Sequence, residues 1–217
     1  MRLDEQLDHL DQTLLGTVST QFPEPLSVPE KAQVHAYLVL SHAVLEEHLE
    51  AAFERHFDRL CAWFVGDLVP LECVRLAFAV SQYVPKEQAG YKTRNTPQLI
   101  RGLGRKELVR QLGENHGLKS SNVQSMAKLL GLHWPNFENA LNAELNDLDT
   151  LGVKRGAAGH LSPYTEKATA IANSDGPDDV RKWVHDGCQA VQSIVRYLDG
   201  LIRAQQPRSL IADWDGN

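Results

Sequence analysis

Apolar residues along this chain return every third or fourth position over long runs, which is the spacing of amphipathic helices rather than of strands. Leu3, Leu7, Leu10, Leu14 and Val18 form one such stripe and predict a helix over roughly residues 3–20. Pro23, Pro25 and Pro29 interrupt the pattern. Ser27 and Glu30, three residues apart with Pro29 in the first turn, then form a capping box that opens a long helix near residue 28. Ala32, Leu38, Leu45, Leu49, Phe53, Phe57, Leu60 and Phe64 supply its buried face to about residue 65.

Between residues 66 and 96, Gly66, Pro70, Pro85 and Gly90 cut the apolar runs into pieces that suit helical turns or a brief strand. Thr96, as a cap with Pro97 behind it, predicts a helix to about Leu112, and Ser120 or Ser121 predicts a short one through Leu130. A further helix is expected from Pro135 or Asn136, with Phe137, Leu141, Leu145, Leu148 and Leu151 as its stripe. Acidic Asp178 and Asp179 suit the first turn of a last long helix. Its face runs Val180, Val184, Cys188, Val191, Ile194, Val195, Leu198, Leu201 and Ile202, and a polar tail follows Pro207. Long amphipathic helices with short connections imply an all-α bundle.

Composition narrows the class. Cys61, Cys73 and Cys188 are odd in number, widely spaced and set in apolar patterns, as suits reduced packing residues rather than a metal or redox pair. The acidic start from Asp4 and Glu5 has no secretory-leader pattern, and no run of ~18 apolar residues occurs, so a cytoplasmic protein without a membrane span is expected. The formal net charge of −6 argues against bulk attraction to nucleic acid. Locally the balance reverses: Lys92, Arg94, Arg101, Arg105, Lys106 and Arg110 face only Glu107. On a helix Arg101 and Arg105 share one face, and Lys106 and Arg110 another, giving either a solvated flank or a phosphate-tracking surface.

The segment richest in chemistry is Arg155-Gly-Ala-Ala-Gly-His160. Its small residues leave room for a phosphate or a second chain beside two cationic groups. Five residues of ideal helix turn the two side chains about 140° apart. They converge at a helix end or distortion, or across a dimer.

Arg155-x4-His160, preceded by Leu148, Leu151 and Val153, resembles the signature of the HEPN superfamily, an Arg followed four to six residues later by His on a bundle helix. The stretch Leu38 to Glu47 is similar to the early HEPN helix, which contributes a polar or acidic side chain, here Glu46 or Glu47. The resemblance implies a HEPN-like helical bundle over residues 28–204 with a helical insertion at about 66–135, an N-terminal helix within 1–25 and a flexible tail at 205–217. It also implies a homodimeric, metal-independent endoribonuclease, a toxin or defence effector held by an antitoxin or other regulatory protein. In that scheme His160 moves protons, Arg155 steadies phosphorane charge, and Glu46 or Glu47 orients them. RNA contacts would come from Lys154, Tyr164, Arg101, Arg105, Lys106 and Arg110. Many HEPN sequences place Asn after the Arg and Gly after the His; Gly156 and Leu161 stand there instead. That difference defines the alternative, a non-catalytic RNA- or protein-binding module of the same shape.

Other candidates are weaker. His35, His42, His48 and His56 along the second helix read as solvated or partly packed, although His42 and Glu46 have the spacing of a metal-ligand pair; no metal or cofactor is expected. Ser41 and Ser162 lack a nucleophile's strand-to-helix setting, and Gly102 with Gly104 lacks the strand of a dinucleotide loop.

Overall fold

A computed structural model describes residues 2–18, 26–63, 71–83, 96–114, 117–160 and 176–204, of which 96, 97, 99, 157, 159 and 160 are described by their helical backbone alone. The described residues form eight helices: α1 (Leu3–Leu14), α2 (Val28–Ala62), α3 (Leu71–Ser81), α4 (Thr96–Glu114), α5 (Ser120–Leu129), α6 (Trp134–Ala140), α7 (Asn142–His160) and α8 (Pro177–Ala204). No strand occurs among them, and none of the helices is long and apolar enough to cross a membrane. The all-α architecture expected from the periodicity is the one observed.

α2 starts where the capping box places it, with the Ser27 amide donating to Glu30 Oε2 at 2.8 Å and Pro29 in the first turn. It is the spine. α1, α7 and α8 pack on it along most of its length, and α7 and α8 pack on each other. α3, α4 and α5 form a second group that leans on α2. One continuous apolar cluster joins both groups, from Leu38, Leu45 and Phe53 of α2 through Leu148 and Leu151 of α7 to Val180 and Ile194 of α8, and out to Leu76, Leu108 and Met126. Helix α7 meets α8 where position 187 is glycine: a Cβ there would lie 2.6 Å from Leu151 Cδ2 and 3.4 Å from Leu45 Cδ1.

Several elements differ from their expected bounds. α1 ends at Leu14 and gives way to a turn that buries Leu15 and Val18, so the apolar spacing continues beyond the helix itself. The ambiguous stretch after Pro70 contains a helix, α3, whose Cys73, Leu76 and Val80 face the core. The single helix expected from Pro135 is two. Leu141 leaves helical geometry at φ −132° and ψ 24°, yet is 4% exposed, so Phe137 and Leu141 are both buried on either side of the break. Phe137 stacks on Trp134 and meets Tyr197 of α8 edge-on, which holds the short α6 in place. By contrast, Gly152 and Gly156 do not break α7, which runs unbroken to His160.

α5 ends in a Schellman motif: Gly131 takes φ +72°, its N–H donates to Lys128, and the Leu132 N–H donates to Ala127. A Cβ on Gly131 would sit 2.5 Å from the Arg75 backbone, so this turn also seats α3. Gly131→Ala therefore meets both a disfavoured backbone and a steric block. A loss of about 2 kcal/mol or more is expected in urea unfolding, and a loss below about 0.5 kcal/mol would show that the α3 contact yields freely.

The histidines of α2 correct the sequence reading. His35, His42 and His56 are buried, and with Leu49 they recur every seven residues on the seam that faces the other helices. Burial depresses all three, His42 and His56 to about 4. Only His48 is half-buried with a polar partner, at 3.1 Å from Gln6 Oε1. Because these rings bind protons in the unfolded chain below about pH 6.5 but not in the folded one, stability should rise with pH between about 4.5 and 6.5. His42 and His56 each contribute at most about 3 kcal/mol to that rise. Glu50, pushed up to about 7 by partial burial and then by Glu46, Glu54 and Glu47, acts in the opposite sense but is only half-buried and so more screened. Urea midpoints measured across this window should climb with pH, and His56→Leu should flatten the slope; a level wild-type profile would refute the assignment.

Candidate functional site

The arginine and histidine of the chemistry-rich segment lie on the last turns of α7, where that helix runs between α2 and α8. Arg155 is half-buried, its Nε is enclosed by protein, and that N–H has no hydrogen-bond partner. Its charge is felt by His42 on α2, which burial first and Arg155 second hold at about 4. His42 is 1% exposed and its Nδ1 also has no hydrogen bond. Glu46 Oε2 lies 3.6 Å from that Nδ1. The separation is too long for a hydrogen bond and the ring is neutral near pH 7, so the contact is a dipolar one and not an ion pair.

Glu46 is thus the acid that shares this corner, whereas Glu47 points to solvent. Both add to the acidic field around Glu50. His160 closes α7 in the described backbone, and the unbroken helix sets its Cα about 140° around the axis from that of Arg155. Tyr164 lies outside the described residues.

A loop completes the corner. Asp149 of α7 accepts the Ser120 amide at 2.8 Å and its hydroxyl at 2.7 Å, clamping the start of α5 onto α7. Asn122 Nδ2 donates to the Gly117 carbonyl at 2.9 Å. Gly117, at φ +142°, presents its missing side chain to the ring: a Cβ there would lie 3.8 Å from His42 Cε1 and Nε2. Lys119 lays its stem along Gly152, one turn before Arg155, at 3.0 Å from where a Cβ would be. Sequence reasoning missed His42 as a site neighbour, and also Asp149, Gly117 and Lys119. The four-residue spacing of His42 and Glu46 was the available signal, and it was weighed only as a metal pair. No group of three or more potential metal ligands occurs among the described residues.

Of the basic segment, Arg101 and Arg105 lie toward the far end of α2. Arg101 donates to the Cys61 carbonyl and caps the far end of α2. Arg105 holds Asp58 at 2.9 and 3.0 Å and approaches Glu54. Arg101 and Arg105 therefore do share a face, as their spacing implied, but the face is turned to α2. Arg110 pairs with Glu107 and Glu114, while Lys106 is exposed. From His42 to Asp58 along α2 is about 24 Å. Lys154, the nearest cation to Arg155 in sequence, rests over the Trp183 ring at 4.0 Å. Lys92 and Arg94 lie outside the described residues. All three cysteines are free and buried, and burial pushes Cys61 and Cys188 up to about 12 and Cys73 up to about 11.

No family model, curated protein or solved structure matches this chain.

The Asp149 clamp gives the corner its rigidity. Asp149→Ala should cost about 1–2 kcal/mol through loss of the α5 cap, and should loosen the Gly117 loop, read as faster amide exchange at residues 117–121. Unchanged exchange there would mean that the apolar contacts of Leu118 and Val123 alone hold the loop.

Proposed function

We propose that this protein is a metal-independent endoribonuclease of HEPN type, working as a homodimer, with Arg155 and His160 as its reacting pair. One observation carries the reading: Arg155 sits on the last turns of α7, the helix packed on α2, and its charge lowers the pKa of His42 of α2, beside which Glu46, one of the acids the resemblance assigns to the site, lies at 3.6 Å. The Arg155 Nε–H has no hydrogen-bond partner among the described residues, and a guanidinium fork suits a phosphate.

In the proposed reaction His160 accepts the proton of a ribose 2′-hydroxyl, whose oxygen attacks the adjacent phosphorus. The His160 of a second copy donates a proton to the departing 5′-oxygen. The P–O5′ bond breaks and a 2′,3′-cyclic phosphate remains, with no redox change. An imidazole with a pKa near 6.5 suits either proton step, for a gain of roughly 10² to 10⁴ in rate. Arg155 stabilises the extra negative charge of the phosphorane. Glu46, through its place beside His42, orients the arginine. A cytoplasmic toxin or defence role, with an antitoxin or other protein restraining it, goes with this activity.

The second reading, a non-catalytic RNA- or protein-binding module, draws on Gly156 and Leu161 beside the motif. It also draws on the pairing of Arg105 and Arg110 with the protein's own acids. Purified protein incubated with total RNA in excess EDTA distinguishes the two. Cleavage leaving cyclic phosphate ends, reduced at least about 10²-fold in a folded His160→Ala variant, is the expected result. Intact RNA with the wild type would favour the binding module.

A further inference from the structure

Gly102 and Gly104 of α4 stand in different surroundings. At Gly104 the helix closes on α2: a Cβ there would lie 2.7 Å from Phe57 Cε2. Two residues earlier the packing opens, and a Cβ on Gly102 would meet nothing within 4 Å. The space beside Gly102 is a groove of about 460 Å³ between α2 and α4, lined by Phe57 and Ala62 as well as by Arg101 and Arg105. Arg101 gives its Nε–H to the Cys61 carbonyl at 3.0 Å and Arg105 holds Asp58 at 2.9 Å, but a guanidinium has five N–H donors, and these contacts do not use them all. An apolar wall of aromatic and small side chains with two cations beside it suits a bulky apolar group flanked by carboxylates.

The chain itself carries such a group. Past α8 and outside the described residues, Leu210, Ile211 and Trp214 interrupt the otherwise polar segment 205–217, and Asp213 and Asp215 bracket the tryptophan. Helix α8 brings this segment to the end of α2 at which the groove lies: Asp199 pairs with Arg59, the residue after groove-lining Asp58 and less than one turn before Ala62. Ala204 closes α8 five residues, about 7.5 Å, beyond Asp199. The ten residues from Ala204 to Trp214 then span up to about 35 Å, enough to cover the remaining distance.

We propose that the groove between α2 and α4 is a docking site for this chain's own segment 210–215, with the Trp214 indole against Phe57 and Gly102 and the flanking carboxylates on Arg101 and Arg105. Asp58 and Glu54 oppose those carboxylates less than their number implies, because Arg105 already engages both. Tethering at this reach sets an effective concentration on the order of millimolar, so the segment of the same chain outcompetes that of a second copy. The contact straps α8 to α4 across the end of α2. It goes beyond the ribonuclease reading and stands without it.

Tryptophan emission of the full chain tests it. The Trp214 signal is the difference between wild type and Trp214→Phe, and its quenching by acrylamide is compared with that of a synthetic peptide of residues 207–217. The docked indole should be quenched at least about threefold less than the peptide, because a ring packed on Phe57 loses solvent contact. Gly102→Leu fills the open side of the groove and replaces a glycine within a helix, so it should fold at least as well as the wild type. In that variant, with Gly102→Leu plus Trp214→Phe as its reference, Trp214 quenching should rise to the level of the peptide. Equal quenching of the wild type and the peptide overturns the proposal. So does protection that Gly102→Leu leaves in place, since the indole then lodges elsewhere. Protection lost on dilution would assign the groove to the segment of a second copy and overturn the intramolecular contact.

Discussion

The crossing of α7 over α2 and α8 at Leu151, Leu45 and Gly187 sets the position of everything else in the bundle. With no side chain at 187, the Leu151 methyl occupies the space a Cβ would need, and Leu45 closes the third side. The contact is apolar, fully buried and lies where α2, α7 and α8 meet, within the two most extensive helical interfaces of the described residues, α2 with α8 and α7 with α8. It fixes the rotation of α7 about its own axis, and Arg155 lies four residues, about one turn, beyond Leu151. The same rotation that buries Leu148 and Leu151 therefore carries Arg155 to the edge of the α2 seam, half in and half out of solvent. A bulkier residue at 187 would push α7 outward and displace the arginine before it affected any other candidate group.

The second constraint is the polar content of that seam. A helix of 35 residues with apolar groups on one face could have been built from leucine throughout, yet three of its seam positions are histidine. Neutral imidazoles pack almost as aromatic hydrocarbons near pH 7, so the core closes around them. Below their unfolded pKa they become a liability, because a charge so deeply buried loses its water, and at His42 the nearby acid, Glu46, stands 3.6 Å away, beyond hydrogen-bond reach.

Charge density along a sequence and charge density in space proved to be different quantities here. Six cations lie within nineteen residues from Lys92 to Arg110. Of the described ones, Arg105 is engaged by Asp58 and Glu54, Arg110 by Glu107 and Glu114, and Arg101 by the carbonyl end of α2. These contacts anchor α4 to α2 and compete with any phosphate for the same guanidinium forks. Fewer of the described cations are free to face a ligand than the one-dimensional cluster suggests, while Lys119, outside the cluster in sequence, lays its stem along Gly152, one turn before Arg155.

Much of the fold was legible because burying an apolar stripe has one efficient solution per period. The starts of α2 at Ser27 and α8 at Pro177, the stripe of α7, and the all-helical class follow from local patterning, capping and proline positions. The break at Leu141 was not legible, since no glycine or proline marks it. Nor was the continuity of α7 through Gly156 and Gly159, whose missing side chains left a distortion open. At the candidate site, the sequence by itself determined the helix that carries Arg155 and His160. Only tertiary structure decided that this helix runs unbroken between them, that His42 is buried beside Glu46 while Glu47 points to solvent, that the Gly117 loop lies against the His42 ring, and that Arg101 and Arg105 turn to the far end of α2. Periodicity records which face of a helix is buried, but the identity of the opposing residue depends on the rotation and offset of a second helix, which local sequence does not encode.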